Sequence, residues 1–286
     1  MNRLATGTIE TLTVSRLIDS GYVLAKDGEE ALLHHNETDK KLEPGNEVEV
    51  FLYNDKKGNI AATTQLPHIV MDEYGWADVI EVLPHLGAFV SIGTTKDMLV
   101  SKDDLPLFES VWPKPEDRLF VTLGRDQKGK LLAIPAKEGA VAREVDAAPE
   151  ELLHKQVKGT VYLTDKQGSA MITTENHRAF IHYTERKQEP RLGEFVEGRV
   201  IAVKDDGSIN VSLLPLKQES MHTDAEAILA HLEASGGTIP FSDKSDPEDI
   251  RGTFNISKAA FKRALGKLLK EGKIEQRDGN TYLIER

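Results

Sequence analysis

Through roughly the first three quarters of the chain, apolar residues recur at every second position in short runs; only the last quarter repeats them at every third or fourth. Period two marks strands with one buried face, and a period near 3.6 marks amphipathic helices. The strand-like region repeats itself three times. Each copy opens with a β-rich run: 7–14, 76–82 and 157–163. A glycine then starts a second run at Gly21, Gly87 or Gly168, and a third follows at 31–34, 98–101 and 179–182. After a loop holding Pro44, Pro115 or Pro190 comes a long alternating strand at 48–52, 119–123 and 195–203. A tight polar turn ending in Gly58, Gly129 or Gly207 leads to the fifth run, and a proline (Pro67, Pro135 or Pro215) closes each copy. Glycine supplies the positive φ that hairpin turns demand, and proline cannot donate to a ladder. Five short strands in about 70 residues predict a small barrel of the OB type.

From Asp224 the period changes. A helix carrying Ala227, Ile228, Ala230 and Leu232 is predicted to stop at Ser235-Gly236-Gly237. Asp246-Pro247-Glu248-Asp249 combines an N-cap acid, proline at the first helical position and acids at the positive end of the dipole. Ser257 caps a third helix with an apolar stripe of Ala260, Phe261, Ala264, Leu265, Leu268 and Leu269, and a hairpin turning at Asp278-Gly279-Asn280 ends the chain. Three helices and a terminal hairpin are the order of a winged helix–turn–helix, whose third helix and wing normally meet nucleic acid. The expected architecture is therefore mainly β: three tandem five-stranded OB-fold barrels at 1–68, 69–145 and 146–219, then an α+β winged helix at 220–286. Residues 136–153, between the second and third copies, have an alanine-rich helical composition.

Charge sharpens this picture. The 286 residues carry a net −11, yet the segments 1–70, 71–150, 151–220 and 221–286 hold −4, −6, 0 and −1. From Ser257 to Arg277 seven bases face two acids, the one strong basic footprint in an acidic chain. The chain has no cysteine, which removes disulfides, thiolate metal sites and a cysteine nucleophile. No apolar run approaches the roughly 20 residues of a spanning helix, and the alternating first residues with Glu10 do not read as a signal peptide. A soluble, cytoplasmic, monomeric protein is expected. His34-His35 has no third ligand at a recognisable spacing, and no nucleophile elbow, Walker loop or zincin motif occurs, so neither metal, cofactor nor enzymatic activity is expected.

The three segments resemble the ribosomal S-one type RNA-binding domain, through Gly87-Ala88-Phe89-Val90 in the second copy and Phe180-Ile181-His182-Tyr183-Thr184-Glu185 in the third. Three such domains before a winged helix resemble the conserved virulence factor B family of bacterial RNA-binding regulators. The resemblance implies a regulator of gene expression, including virulence-associated genes, with single-stranded RNA as partner and DNA as the alternative. It matches Phe89 to the second-strand aromatic, His34 and His182 to the third-strand histidine, and Lys130 to a base opening the last strand. Tyr22, Lys57, Lys128, Arg178 and Tyr183 flank these positions. Lys258, Lys262, Arg263, Lys267, Lys270 and Lys273 supply the basic helix. No copy carries the whole set: Val23 and Ala170 stand where Phe89 does, and Ser101 where the histidines do. Each grip is expected to be weak, with tethering adding factors of about 100 or more. Phe89 serves a barrel core equally well, and Phe51, Tyr53, Trp76 and Trp112 fit packing between domains better than stacking. The rival readings are a duplex-DNA regulator acting through the winged helix and a protein-interaction scaffold.

Overall fold

In a computed structural model the described residues are 4–55, 57–215 and 217–284, the side chains of 217–220 excepted. Lys56, in the first copy's polar turn, lies outside them. The chain divides into two compact units, Met1–Leu213 and Leu214–Arg286.

The first unit contains the three repeats. In the first copy β1 (Ile9–Ile18), β2 (Gly21–Lys26), β3 (Glu29–His34), β4 (Glu47–Asn54) and β5 (Ile60–Thr63) close a barrel of order β1-β2-β3-β5-β4. The second comprises β6 (Gly75–Leu83), β7 (Gly87–Ser91), β8 (Met98–Ser101), β9 (Arg118–Arg125) and β10 (Leu131–Pro135). The third, β11 (Gln156–Thr164), β12 (Gly168–Thr173), β13 (Arg178–His182), β14 (Phe195–Val203) and β15 (Ile209–Ser212), closes like the first. The middle copy departs from expectation: it keeps the strand order as a five-stranded sheet, β10-β9-β6-β7-β8, without a closing ladder. Closure is the weakest joint in every copy. Elsewhere it consists of two parallel pairs, Leu32–Ala61 and Leu33–Ala62, or Ala179–Ile209 and Phe180–Asn210. In the middle copy Val100 of β8 and Ala133 of β10 are both fully buried although no ladder joins their strands.

The repeated second-strand glycine has a steric cause. A Cβ on Gly21 or Gly87 would stand 2.1 or 2.0 Å from the third-strand carbonyl of Leu33 or Val100, and both residues have positive φ. First strands share a bulge as well, between Val14 and Arg16, Val79 and Glu81, and Val161 and Leu163. An extra residue there increases local twist, which coils the strand around the barrel.

Shared cores join the copies. Phe51 and Tyr53, on the outer face of β4, are buried in one cluster with Val79, Val90 and Leu119 of the second copy. That is the packing role expected of them. Trp112 is buried there too, its indole N–H donating to the Pro106 carbonyl at 2.6 Å. Leu192, from the loop before β14, enters the same cluster. The third copy is thus seated against the second, and the sites on these copies are held at set positions where the sequence suggested tethered ones.

In the second unit α2 (Lys217–Ala234), β16 (Thr238–Ile239), α3 (Pro247–Phe254), α4 (Lys258–Lys270), β17 (Ile274–Arg277) and β18 (Asn280–Leu283) form a winged helix with sheet order β16-β18-β17. Asp246 and Ser257 cap α3 and α4 through their side chains, at Glu248 N–H and Ala260 N–H. Ile228, Leu232, Ile250, Phe261, Leu265 and Leu268 fill the core. Strand β16, too short to leave a periodic signal, completes the sheet.

Candidate nucleic-acid interface

Strand register aligns the three copies residue by residue. Val23 faces Leu32 across β2 and β3, Phe89 faces Leu99 across β7 and β8, and Ala170 faces Phe180 across β12 and β13. Two positions before Val23, Phe89 and Ala170, on the same face, Gly21, Gly87 and Gly168 pair with His34, Ser101 and His182. The missing aromatic of the third copy is therefore displaced onto the partner strand as Phe180. Sequence reading passed over Phe180 as a ring because β-sheet partners are distant in the chain.

On the second copy this outer face is open. Phe89 is half-buried and lines a cleft of about 390 Å³ with Tyr53, Lys96, Leu99 and Lys130. Lys96 places its ammonium 4.1 Å from the Tyr53 ring centroid. Desolvation, and after it the charge of Glu37, push the Tyr53 phenol above its ordinary range. The Lys128 and Lys130 side chains are exposed on the adjacent turn, whose backbone is pinned by Asp126 at 2.8 Å. Such a face offers an apolar ring for stacking, with Lys96 and Lys130 on a rim that also carries Asp55 and Asp97.

The equivalent face of the first copy is also open. A cleft of about 490 Å³ is lined by Val23, Leu32 and His34 together with Glu30 and Asn59. Arg16 reaches Glu30 at 2.5 and 2.9 Å and holds its carboxyl below the usual range. Lys57 is exposed on the nearby turn. Tyr22 lies in the barrel core, its hydroxyl accepting the Leu42 N–H at 3.3 Å, with His35 edge-on to its ring.

The third copy's face is occupied by the chain itself. Of the stretch with helical composition, residues 136–145 form a strap with one short helix, α1 (Glu138–Val141). Ala136 and Val141 are buried against Tyr162, Ala170 and Ile172, with Phe180 and Trp76 packed at the margin. The Tyr162 hydroxyl donates to Glu138 at 2.6 Å, and Arg178 reaches the same carboxylate at 2.8 Å. Arg178 thus already has an anionic partner. His182 and Tyr183 stay exposed beyond the strap, their rings 4.3 Å apart, with His182 Nδ1 2.7 Å from the Thr184 hydroxyl.

In the winged helix the bases are unequal. Lys262 lies 3.9 Å from Asp243, Lys267 is 2.8 Å from His222 and 3.8 Å from Glu271, and Lys273 lies 3.0 Å from Glu271. Lys258 donates to the Lys244 carbonyl at 3.4 Å. Arg263 and Lys270, both exposed on α4, have no partner among the described residues. On the wing, Arg277 lies 5.0 Å from the Tyr282 ring centroid, a cation–aromatic pair the sequence reading did not single out. Among the described residues no group of three or more histidines and carboxylates is gathered for a metal, and no helix is long and apolar enough to cross a membrane.

Comparison with known proteins follows this division. Residues 6–65 match the S1 domain, 74–134 the CvfB first S1-like domain, 142–215 the second domain of virulence regulatory factor CvfB, and 226–283 the CvfB-like winged helix domain. The chain is 47% identical over 272 residues to the Bacillus subtilis protein YitL, covering 95% of this chain and 91% of that one. It is 36% identical over 284 residues to conserved virulence factor B of Staphylococcus aureus, covering 98% and 94%. A crystal structure of a Streptococcus pneumoniae multidomain protein with nucleic acid binding domains superposes with a TM-score of 0.65 at 35% identity, covering 98% of each chain.

Proposed function

The chain belongs to the conserved virulence factor B family, and from that premise we propose that it regulates gene expression by binding single-stranded RNA through the five-stranded copies at 1–68, 69–145 and 146–219 and a winged helix at 220–286. The observation that carries this reading is the open face of the second copy, where Phe89 lies in one cleft with Lys96 and Lys130. Bases stack on such a ring irrespective of sequence, at about 1–3 kcal/mol each, while lysines at the rim meet phosphates. The first copy adds His34 on the equivalent face. The third adds His182 and Tyr183, and α4 adds the exposed cations Arg263 and Lys270. In a duplex the base faces are already stacked, and a ring like Phe89 reaches them only by wedging a step apart at a cost of about a few kcal/mol, which favours an unpaired strand. The protein acts in this reading as a cytoplasmic monomer, without a cofactor or a catalysed step.

The test is binding of a labelled single-stranded RNA by the full chain at two salt concentrations, beside F89A and a truncation after Glu219. Wild type should bind at low salt, F89A about tenfold more weakly, and the truncation with a shallower salt dependence. Absence of RNA binding at low salt sinks the reading. Efficient competition by duplex DNA, together with wild-type affinity in F89A, would instead favour a DNA regulator reading through α4.

A further inference from the structure

Phe195 opens β14 as a residue 58% exposed, on a strand that buries Gly198 and Val200. It borders a groove of about 450 Å³ between the second and third copies, whose other walls include Trp76, Arg118, Thr160 and Thr174. Arg118 holds its guanidinium 5.9 Å from the Trp76 ring. Its ion pair with Asp78, at 3.1 Å, is exposed on both sides and so holds it only weakly. The hydroxyls of Thr160 and Thr174 have no protein partner among the described residues. This is a site with rings for stacking, neutral hydroxyls for a base edge and one cation. Glu116 on the same rim makes the groove a poor seat for phosphate itself.

The groove also continues the face that carries Phe89. Trp76, Asp78 and Ile80 share the outer face of β6, alternating with buried Ala77 and Val79; Asp78 and Ile80 are exposed, while Trp76 is half-buried, with part of its ring against Phe120 at 5.0 Å between centroids. Ile80 is 49% exposed. Phe89 pairs with Glu81 on that strand, and Arg118 with Asp78. Trp76 and Glu81 are therefore separated by roughly 16 Å of strand, at about 3.3 Å per residue. A strand stacked on Phe89 and running over Ile80 arrives at Trp76 and Phe195.

We propose that this groove is a second nucleobase site, stacking a base of the same RNA on Phe195 and Trp76 while Arg118 meets the phosphate outside. The proposal rests on the single-strand reading above and adds a place and a direction to it.

The experiment uses the full chain with oligouridylate and oligoadenylate long enough to span both rings. Binding should quench tryptophan emission in wild type and not in W76F, since Trp112 is buried in the second copy's core. F195A should weaken affinity about tenfold, and F195L, which keeps apolar area and loses the ring, should weaken it nearly as much. Thermal midpoints should stay unchanged, because the ring is exposed. Wild-type affinity in F195A, or a quench that persists in W76F, overturns the proposal; if F89A is still impaired, the single-strand reading survives that loss. A wild-type chain that binds neither oligonucleotide ends both.

Discussion

Arg191 of the third copy grips Asp117 of the second through Nε and an Nη nitrogen, at 3.1 and 3.0 Å. The Asp117 carboxylate is largely buried and also accepts the Lys114 N–H at 2.7 Å. A planar two-point contact suits arginine and not lysine. The next residues keep the fit: Gly193 accepts the Arg118 N–H at 3.1 Å, and a Cβ there would stand 2.9 Å from Leu119. R191Q should therefore lower the unfolding free energy of the barrel unit by about 2 kcal/mol, and R191K should recover little of it. Urea unfolding of the three proteins measures this; wild-type stability in R191Q would show that the apolar seam alone fixes the copies.

A methyl group distinguishes the two kinds of glycine in this chain. G87A drives a Cβ into the Val100 carbonyl at 2.0 Å and also strains a φ of 131°. It should cost about 3 kcal/mol or more, because backbone on both sides must move. G129A, with nothing within 4 Å and a φ of 80°, should cost only about 1–2 kcal/mol. Equal losses would contradict this account of the repeated second-strand glycine.

Tyr53 and Tyr162 both hold their phenols above the ordinary range, chiefly through burial, with Glu37 or Glu138 adding to it. A phenol whose folded pKa is raised stabilises fully below its unfolded pKa of about 10. Above that pH the unfolded chain releases protons that the native one keeps, so stability falls as alkalinity rises. Wild type should lose stability progressively above about pH 10, and Y53F and Y162F should each flatten that decline. Tyrosinate absorbance should show these two phenols ionising only as the barrels unfold.

Salt dependence should separate the cations of α4. Each phosphate contact to a single strand contributes about 0.7 to the slope of log affinity against log salt. If Arg263 and Lys270 both make such contacts, R263Q/K270Q should lower the slope by about 1.4. K267Q should change it less, since Lys267 is already engaged by His222 and Glu271. A larger change in K267Q than in the double variant would reverse this ordering.

Much of the fold was readable in one dimension because its signals are local. The alternation of β4 placed Phe51 and Tyr53 opposite Val48, Val50 and Leu52, and the caps at Asp246 and Ser257 bounded two helices. The surroundings of Phe180, Lys96 and Phe195 were not readable, since each acquires its place on a candidate face from a neighbour on another strand or in another copy. The strap escaped for a related reason. Its alanines suit a helix, but burial of Ala136 and Val141 on the third barrel outweighs that weak propensity.

By itself, then, the amino-acid order determined three five-stranded repeats and a basic winged helix, because periodicity, turn glycines and capping side chains act over a few residues. The tertiary structure alone decided which of the three equivalent faces stay open, which cations remain unpaired, and that the middle sheet lacks its closing ladder. Those outcomes depend on burial and charge pairing between segments far apart in the chain, where no local pattern can register them.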